Sequence, residues 1–188
     1  RGPLSDLKAV HPRHRKTNSR EGLAMISVED WLDATTKSLT EVAETYFDVS
    51  TMEAASFHDA DGPTCGALIG LASEDNTVQL MMLATRSGSE SLGKALLGFN
   101  AHEAIDTGDL ADAIGEIINI VAGMVKTEVS ALDDSLYLTL PTFAEGTLAP
   151  IGGHETLGKI ITLGTVQTKV VVINGAKEII RKPRSSAV

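Results

Sequence analysis

Residues 107–126 read TGDLADAIGEIINIVAGMVK and form the most strongly periodic stretch of this sequence. An α-helix turns by about 100° per residue, which puts one set of apolar side chains on a single side of the segment. That set is Leu110, Ile114, Ile117, Val121 and Val125. The opposite side, within about 40° of Asp112, carries Asp112, Glu116, Asn119, Gly123 and Lys126. The segment is therefore predicted to be a helix that packs its apolar side on a sheet and turns its polar side outward.

Two further helices are predicted ahead of this segment. Ser27 followed by Asp30 resembles a helix capping box, and apolar residues then recur at helical spacing as far as about Phe47. Ser87 with Glu90 forms a second candidate capping pair, and a short amphipathic stretch follows it. Both segments are expected to be amphipathic helices.

Short apolar stretches separated by turn residues indicate strands on either side of the later helices. Residues 52–84 contain three such stretches, which predict a three-stranded antiparallel meander. A further strand is predicted over residues 136–140, reaching Pro141, and a hairpin over 157–163 and 166–173 around Gly164. The order helix, three strands, two helices, three strands predicts an α+β domain with a mainly antiparallel sheet covered by helices.

Composition excludes several classes of function. The net charge of −9 argues against a nucleic-acid partner, and no apolar run is long enough to cross a membrane. The single cysteine, Cys65, cannot form an internal disulfide, which favours a cytoplasmic location. His58, His102 and His154 have no spacing typical of a metal site.

The two ends of the chain differ from its middle. Residues 1–24 contain six basic and two acidic residues, with little apolar periodicity. They are interpreted as a disordered leader, left over from protein expression, or as an interdomain linker. Residues 25–180 are assigned to one folded domain and 181–188 to a polar tail.

The polar side of the 107–126 helix resembles the motif of the CheX, CheC and FliY chemotaxis phosphatases. In that family an Asp or Ser is followed by Glu four residues later, by Asn three residues beyond, and by Pro about 22 residues further on. Asp112, Glu116, Asn119 and Pro141 fill these places. The first predicted helix contains Glu41 and Glu44 but lacks an Asn at the required spacing, so the resemblance is to the single-site CheX branch.

The resemblance implies a hydrolase that removes the aspartyl phosphate from a CheY-like response regulator of chemotaxis or two-component signalling. The matching Asn holds the attacking water and the matching Glu reaches a lysine of the partner, which makes Asn119 and Glu116 the expected catalytic pair. The resemblance implies no cofactor of the chain's own, with Mg²⁺ carried by the partner, and a homodimer paired through its sheets.

Several roles stay open at this point. Asp112 is expected either to bind the partner or to cap and solvate the helix. Gly115 and Gly123 would let the partner's backbone approach closely, although packing within the protein is an equal reason for glycine. Pro141 is expected to be structural, ending a strand near the helix. The alternative to a phosphatase is a binding or dimerisation module of the same fold that holds a signalling partner without turnover.

Overall fold

The computed structural model describes residues 26–54, 64–73, 77–131, 134–146 and 154–175. Within these residues the chain forms three helices and one seven-stranded sheet. The helices are α1 (Val28–Phe47), α2 (Arg86–Leu97) and α3 (Thr107–Val129). The strands are β1 (Thr51–Ala54), β2 (Thr64–Ala72), β3 (Thr77–Thr85), β4 (Tyr137–Leu138), β5 (Thr142–Gly146), β6 (Glu155–Leu163) and β7 (Val166–Asn174). The predicted α+β class with an antiparallel sheet is confirmed. The terminal segments 1–24 and 181–188 lie outside the described residues.

Local capping explains where the first two helices begin. The predicted capping box of α1 is present, because Ser27 Oγ accepts from the Asp30 amide at 3.1 Å and Asp30 accepts from the Ser27 amide at 3.3 Å. The predicted cap of α2 at Ser87 is wrong. Thr85, still extended at the end of β3, is the cap and accepts from the amide of Gly88 at 3.1 Å.

The predicted hairpins are only partly observed in the sheet, whose strand order is β1-β6-β7-β3-β2-β4 with β5 also paired to β2. The β6–β7 hairpin around Gly164 is confirmed. The β2–β3 hairpin is present, but the predicted meander is wrong because β1 pairs with β6 at the far edge. The reason is tertiary: α1 packs on β6 and β7, so the chain leaving α1 emerges beside their turn. There the Gly164 amide donates to the Ser50 carbonyl at 3.0 Å.

The strand predicted over residues 136–140 is shorter than expected and is followed by a strand that was not predicted. β4 pairs with the end of β2, and β5 pairs with its first half. Between these two pairings, residues 139–141 face only Ile69 and Gly70 of β2. Three residues opposite two form a β-bulge, which bends the edge of the sheet. The interruption coincides with Pro141, which cannot donate a hydrogen bond to a ladder.

All three helices pack on one face of the sheet. The core takes alternate residues from the central strands, as expected for a strand with one face toward helices. These residues are Ala67, Ile69, Leu71, Val78, Leu80, Met82, Val170 and Val172. Against them lies the apolar stripe of α3, whose predicted members Leu110, Ile114, Ile117, Val121 and Val125 are all buried. The core therefore fixes which side of α3 faces solvent.

Candidate functional site

Helix α3 begins at a capped N-terminus, and its orientation is set by the core. Its N-cap is Asp106, whose Oδ1 accepts from the amide of Asp109 at 2.9 Å. Asp112 therefore does not cap the helix, which removes one of the two structural roles considered for it. Asp112 lies beyond the first turn and is exposed.

The polar residues predicted to share one side of α3 do face outward. Asp112 and Glu116 are exposed, and Asn119, Gly123 and Lys126 are partly exposed. Within the described part of the chain, the side chains of Asp112, Glu116 and Asn119 make no hydrogen bond or ion pair. Their polar atoms are therefore free to bind groups from outside the protein.

An open groove of about 410 Å³ runs between α3 and the bulged edge of the sheet. It is lined by Ala111, Asp112, Gly115, Glu116, Pro141 and Phe143. Pro141, 25 residues beyond Glu116 in the sequence, thus lies beside it in space. The structure brings together Asp112, Glu116 and Pro141, whereas Asn119 lies one turn further along the helix, outside the groove lining.

Gly115 and Gly123, the two glycines of α3 considered for close approach of a partner, have different surroundings. Gly115 is buried, and a Cβ atom added there would lie 3.6 Å from Pro141 Cγ. A Cβ atom at this distance would make an ordinary van der Waals contact, so packing against the bulge does not require glycine at 115. A Cβ atom at Gly123 would meet nothing within 4 Å, so internal packing gives no reason for glycine there. Gly123 therefore stays a candidate for close approach of a partner.

The bulge is held by a pair of hydrogen bonds that sequence reasoning missed. Thr139 donates its amide to the Gly70 carbonyl at 2.9 Å, and Thr139 Oγ1 accepts from the Gly70 amide at 2.9 Å. A Cβ atom at Gly70 would lie 3.0 Å from the Thr139 methyl carbon, so glycine makes room for this threonine. The arrangement holds Thr139, and through the chain Pro141, at a defined place beside α3.

A second group of residues missed from the sequence surrounds Arg86, at the start of α2. Its guanidinium group donates to Glu90 at 2.9 Å, to Glu145 at 3.0 Å and to Thr107 Oγ1 at 3.4 Å. The hydrogen bond to Glu90, with the nearby carboxylates, raises the pKa of Arg86 above its ordinary value. These contacts connect α2 with β5 and with the first residue of α3. Later residues of α3 and Phe143 of β5 line the groove.

The groove and the described residues around it show no metal centre. Among the ranges that the structure describes, no cluster of three His, Cys, Asp or Glu side chains could hold an ion. His102 and His154 are exposed, and His58 lies outside the described residues. None of the helices described here combines the length and apolar character needed to cross a bilayer.

The family model of the chemotaxis phosphatase CheX matches residues 65–162, just over half of the 188-residue chain. The chain belongs to the CheX family. The matched region runs from β2 into β6, so it contains all of α3, the bulge and the groove. The resemblance based on Asp112, Glu116, Asn119 and Pro141 is thereby confirmed at the level of the family. A search of curated proteins finds no match.

Solved structures show the same fold at low sequence identity. CheX from Vibrio vulnificus has a TM-score of 0.64 at 14% identity, covering 79% of this chain and 99% of its own. A CheC-like protein from Shewanella sp. PV-4 has a TM-score of 0.64 at 18% identity, covering 78% and 97%. The Borrelia burgdorferi CheX–CheY–BeF3–Mg²⁺ complex has a TM-score of 0.58 at 18% identity, covering 80% and 99%. Each of these structures matches more than three quarters of this chain, a larger share than the family model matches.

Proposed function

We propose that this member of the CheX family hydrolyses the aspartyl phosphate of a CheY-like receiver domain. The observation that carries the proposal is the outward face of α3, where Glu116 and Asn119 lie one turn apart with no partner among the described side chains. Family membership supports it, as does the likeness to a CheX solved in complex with CheY. The expected Mg²⁺ belongs to the receiver domain, and this chain needs no metal of its own.

Asn119 is proposed to position the attacking water. A carboxamide donates and accepts hydrogen bonds at the same time, so it can orient a water molecule toward phosphorus. Because it is neutral, it does so without adding negative charge beside a phosphoryl group. Its partial exposure, one turn beyond the groove, leaves it accessible to a receiver that docks along α3.

Glu116 is proposed to set the position of the receiver by pairing with a lysine of the receiver's active site. A carboxylate that contacts an ammonium group forms a charge-assisted hydrogen bond, which contributes direction as well as affinity. Asp112 lies on the same face, lines the same groove and has no capping role. It is therefore assigned to the docking surface rather than to the chemistry.

The test of the catalytic role is Asn119→Ala, assayed with phosphorylated receiver domains from the same organism in the presence of Mg²⁺. We expect the rate of phosphate release at saturating receiver to fall about 100-fold or more, the size typical for removal of one positioned polar group. Binding to the receiver should change little. Asn100→Ala is the matched control, because Asn100 is an exposed asparagine outside α3.

Glu116→Ala tests the docking role separately. We expect its dissociation constant for the receiver to rise about 10-fold or more, since a charge-assisted contact is lost. Glu44→Ala on α1 is the control, as an exposed glutamate on another helix. Full activity of the Asn119→Ala protein would disprove the mechanism. A parent protein that binds the receiver without accelerating phosphate loss would identify a non-catalytic binding module.

A further inference from the structure

Leu140 is the most exposed of the large hydrophobic side chains in the described ranges. It is 86% exposed, compared with 68% for Met52 at the opposite edge of the sheet. Single exposed leucines are common on protein surfaces, so exposure alone indicates no function. Leu140 is of functional interest because it directly precedes Pro141, which lines the groove beside α3.

The exposure of Leu140 follows from the bulge. Thr139 is bound to Gly70 through both its amide and its hydroxyl group, and regular pairing with β2 resumes only at Thr142. Leu140 therefore lies in the unpaired part of the edge, where bulges commonly redirect a side chain. The next residue, Pro141, contacts the position of Gly115 and lines the groove. The bulge thus places a highly exposed leucine next to Pro141, which lines the groove.

This edge of the sheet is poorly suited to pairing with a second copy of the chain. β4 has only two residues, and the bulge interrupts the row of backbone groups that another strand would need. Short edge strands and bulges are features that prevent strand addition. An occupant that covers the groove is therefore favoured over one that extends the sheet.

We infer that Leu140 is an apolar docking contact for the receiver domain, placed by the bulge beside the polar site of α3. The inference rests on the proposed function. A standard interface covers about 800 Å² on each partner, a patch with a radius of roughly 16 Å, so a receiver centred on Glu116 reaches the bulge. The receiver would present an apolar patch to Leu140, next to the lysine that Glu116 binds. Leu140 contributes affinity and takes no part in the chemistry.

The test compares Leu140→Ala with Met52→Ala, a matched truncation of an exposed apolar side chain across the sheet. Binding is measured by calorimetry against each single-domain receiver of the organism, activated with beryllofluoride and Mg²⁺, and phosphate release is measured in parallel. We expect Leu140→Ala to raise the dissociation constant about 5- to 10-fold while the rate at saturating receiver stays within about 2-fold. Met52→Ala should change neither quantity.

The outcomes separate this inference from the proposed function. If the parent binds and dephosphorylates a receiver and Leu140→Ala binds as tightly as the parent, the role of Leu140 is disproved and the phosphatase proposal stands. If the parent neither binds nor dephosphorylates any receiver, both are disproved. Sedimentation velocity completes the test: if Leu140→Ala alters self-association and leaves receiver binding unchanged, Leu140 serves a second copy and the inference is overturned.

Discussion

Gly123→Ala should stabilise this protein and weaken its binding to the receiver. Gly123 lies inside α3, four residues after Asn119 on the outward face, and its carbonyl accepts from Thr127 Oγ1 at 2.9 Å. Its φ angle is not positive, and an added Cβ atom would meet nothing within 4 Å. Alanine therefore fits without any rearrangement.

The size of the effect follows from helix propensity. Glycine in a helix interior is about 0.8–1.0 kcal/mol less favourable than alanine, and nothing at this site offsets that difference. The free energy of unfolding should therefore rise by about 1 kcal/mol. For a chain of this size, such a change raises the melting temperature by about 2–4 °C.

Urea unfolding followed by circular dichroism measures this change, with Gly93→Ala as the control. Gly93 in α2 is buried, and its added Cβ atom would lie 3.0 Å from Leu110 Cδ1 and 3.2 Å from Ile105 Cδ1. The stability that alanine adds through its higher helix propensity should be cancelled at this site by crowding between α2 and α3. A fall in stability of Gly123→Ala would refute the reasoning, because it would mean that the methyl group does meet an obstacle.

The functional half of this prediction uses the same variant. If Gly123 lets the receiver's backbone approach α3, a methyl group there should raise the dissociation constant for the activated receiver. A more stable protein that binds less tightly would identify a glycine kept for function. Unchanged binding would remove Gly123 from the partner-binding residues.

Substitutions at two positions and one labelling experiment test the fold and its packing. Gly66→Ala should lower the free energy of unfolding by about 3 kcal/mol, because the new Cβ atom would lie 1.8 Å from the Met82 carbonyl oxygen; a melting temperature equal to the parent's would contradict this. Asp106→Ala should cost about 1 kcal/mol of stability through loss of the α3 cap, whereas Asp106→Asn should retain nearly all of it in the same denaturation assay. Burial raises the pKa of the Cys65 thiol, so its reaction with a disulfide reagent should be about 100-fold slower in the native than in the unfolded protein. Rapid labelling of the native protein would contradict this expectation. Since the thiol ionises at a lower pH in the unfolded protein, its contribution to the free energy of unfolding should be intact below about pH 8.5 and decline at higher pH; urea unfolding that shows no decline above this pH would contradict the second expectation.

The helices were predictable because their determinants are local. The apolar residues of α3 recur every three or four positions, and a helix places such residues on one face wherever it occurs. Ser27 and Asp30 cap α1 through atoms three residues apart. The cap of α2 was misplaced because Thr85 and Ser87 are both hydroxyl residues. Thr85 remains outside the helix because it is the last residue of β3 and keeps an extended backbone.

Most of the strands were predictable as segments, with β5 as the exception, but their pairing was not. An alternating or continuous apolar stretch indicates a strand without indicating its neighbour. β1 follows α1 closely, and the place where α1 docks on β6 and β7 determines which edge β1 joins. That docking depends on the packed core as a whole.

Helical periodicity in the amino-acid sequence is enough to predict the outward face of α3, and therefore that Asp112, Glu116 and Asn119 point toward solvent together. The wall beside Asp112 and Glu116 depends on tertiary contacts. The bulge at residues 139–141 depends on Gly70, distant in sequence, making room for Thr139, and it brings Pro141 against Gly115 to form the groove. Helical periodicity is encoded within a few residues, whereas this wall arises from contacts between strands and helices that meet only when the core is packed.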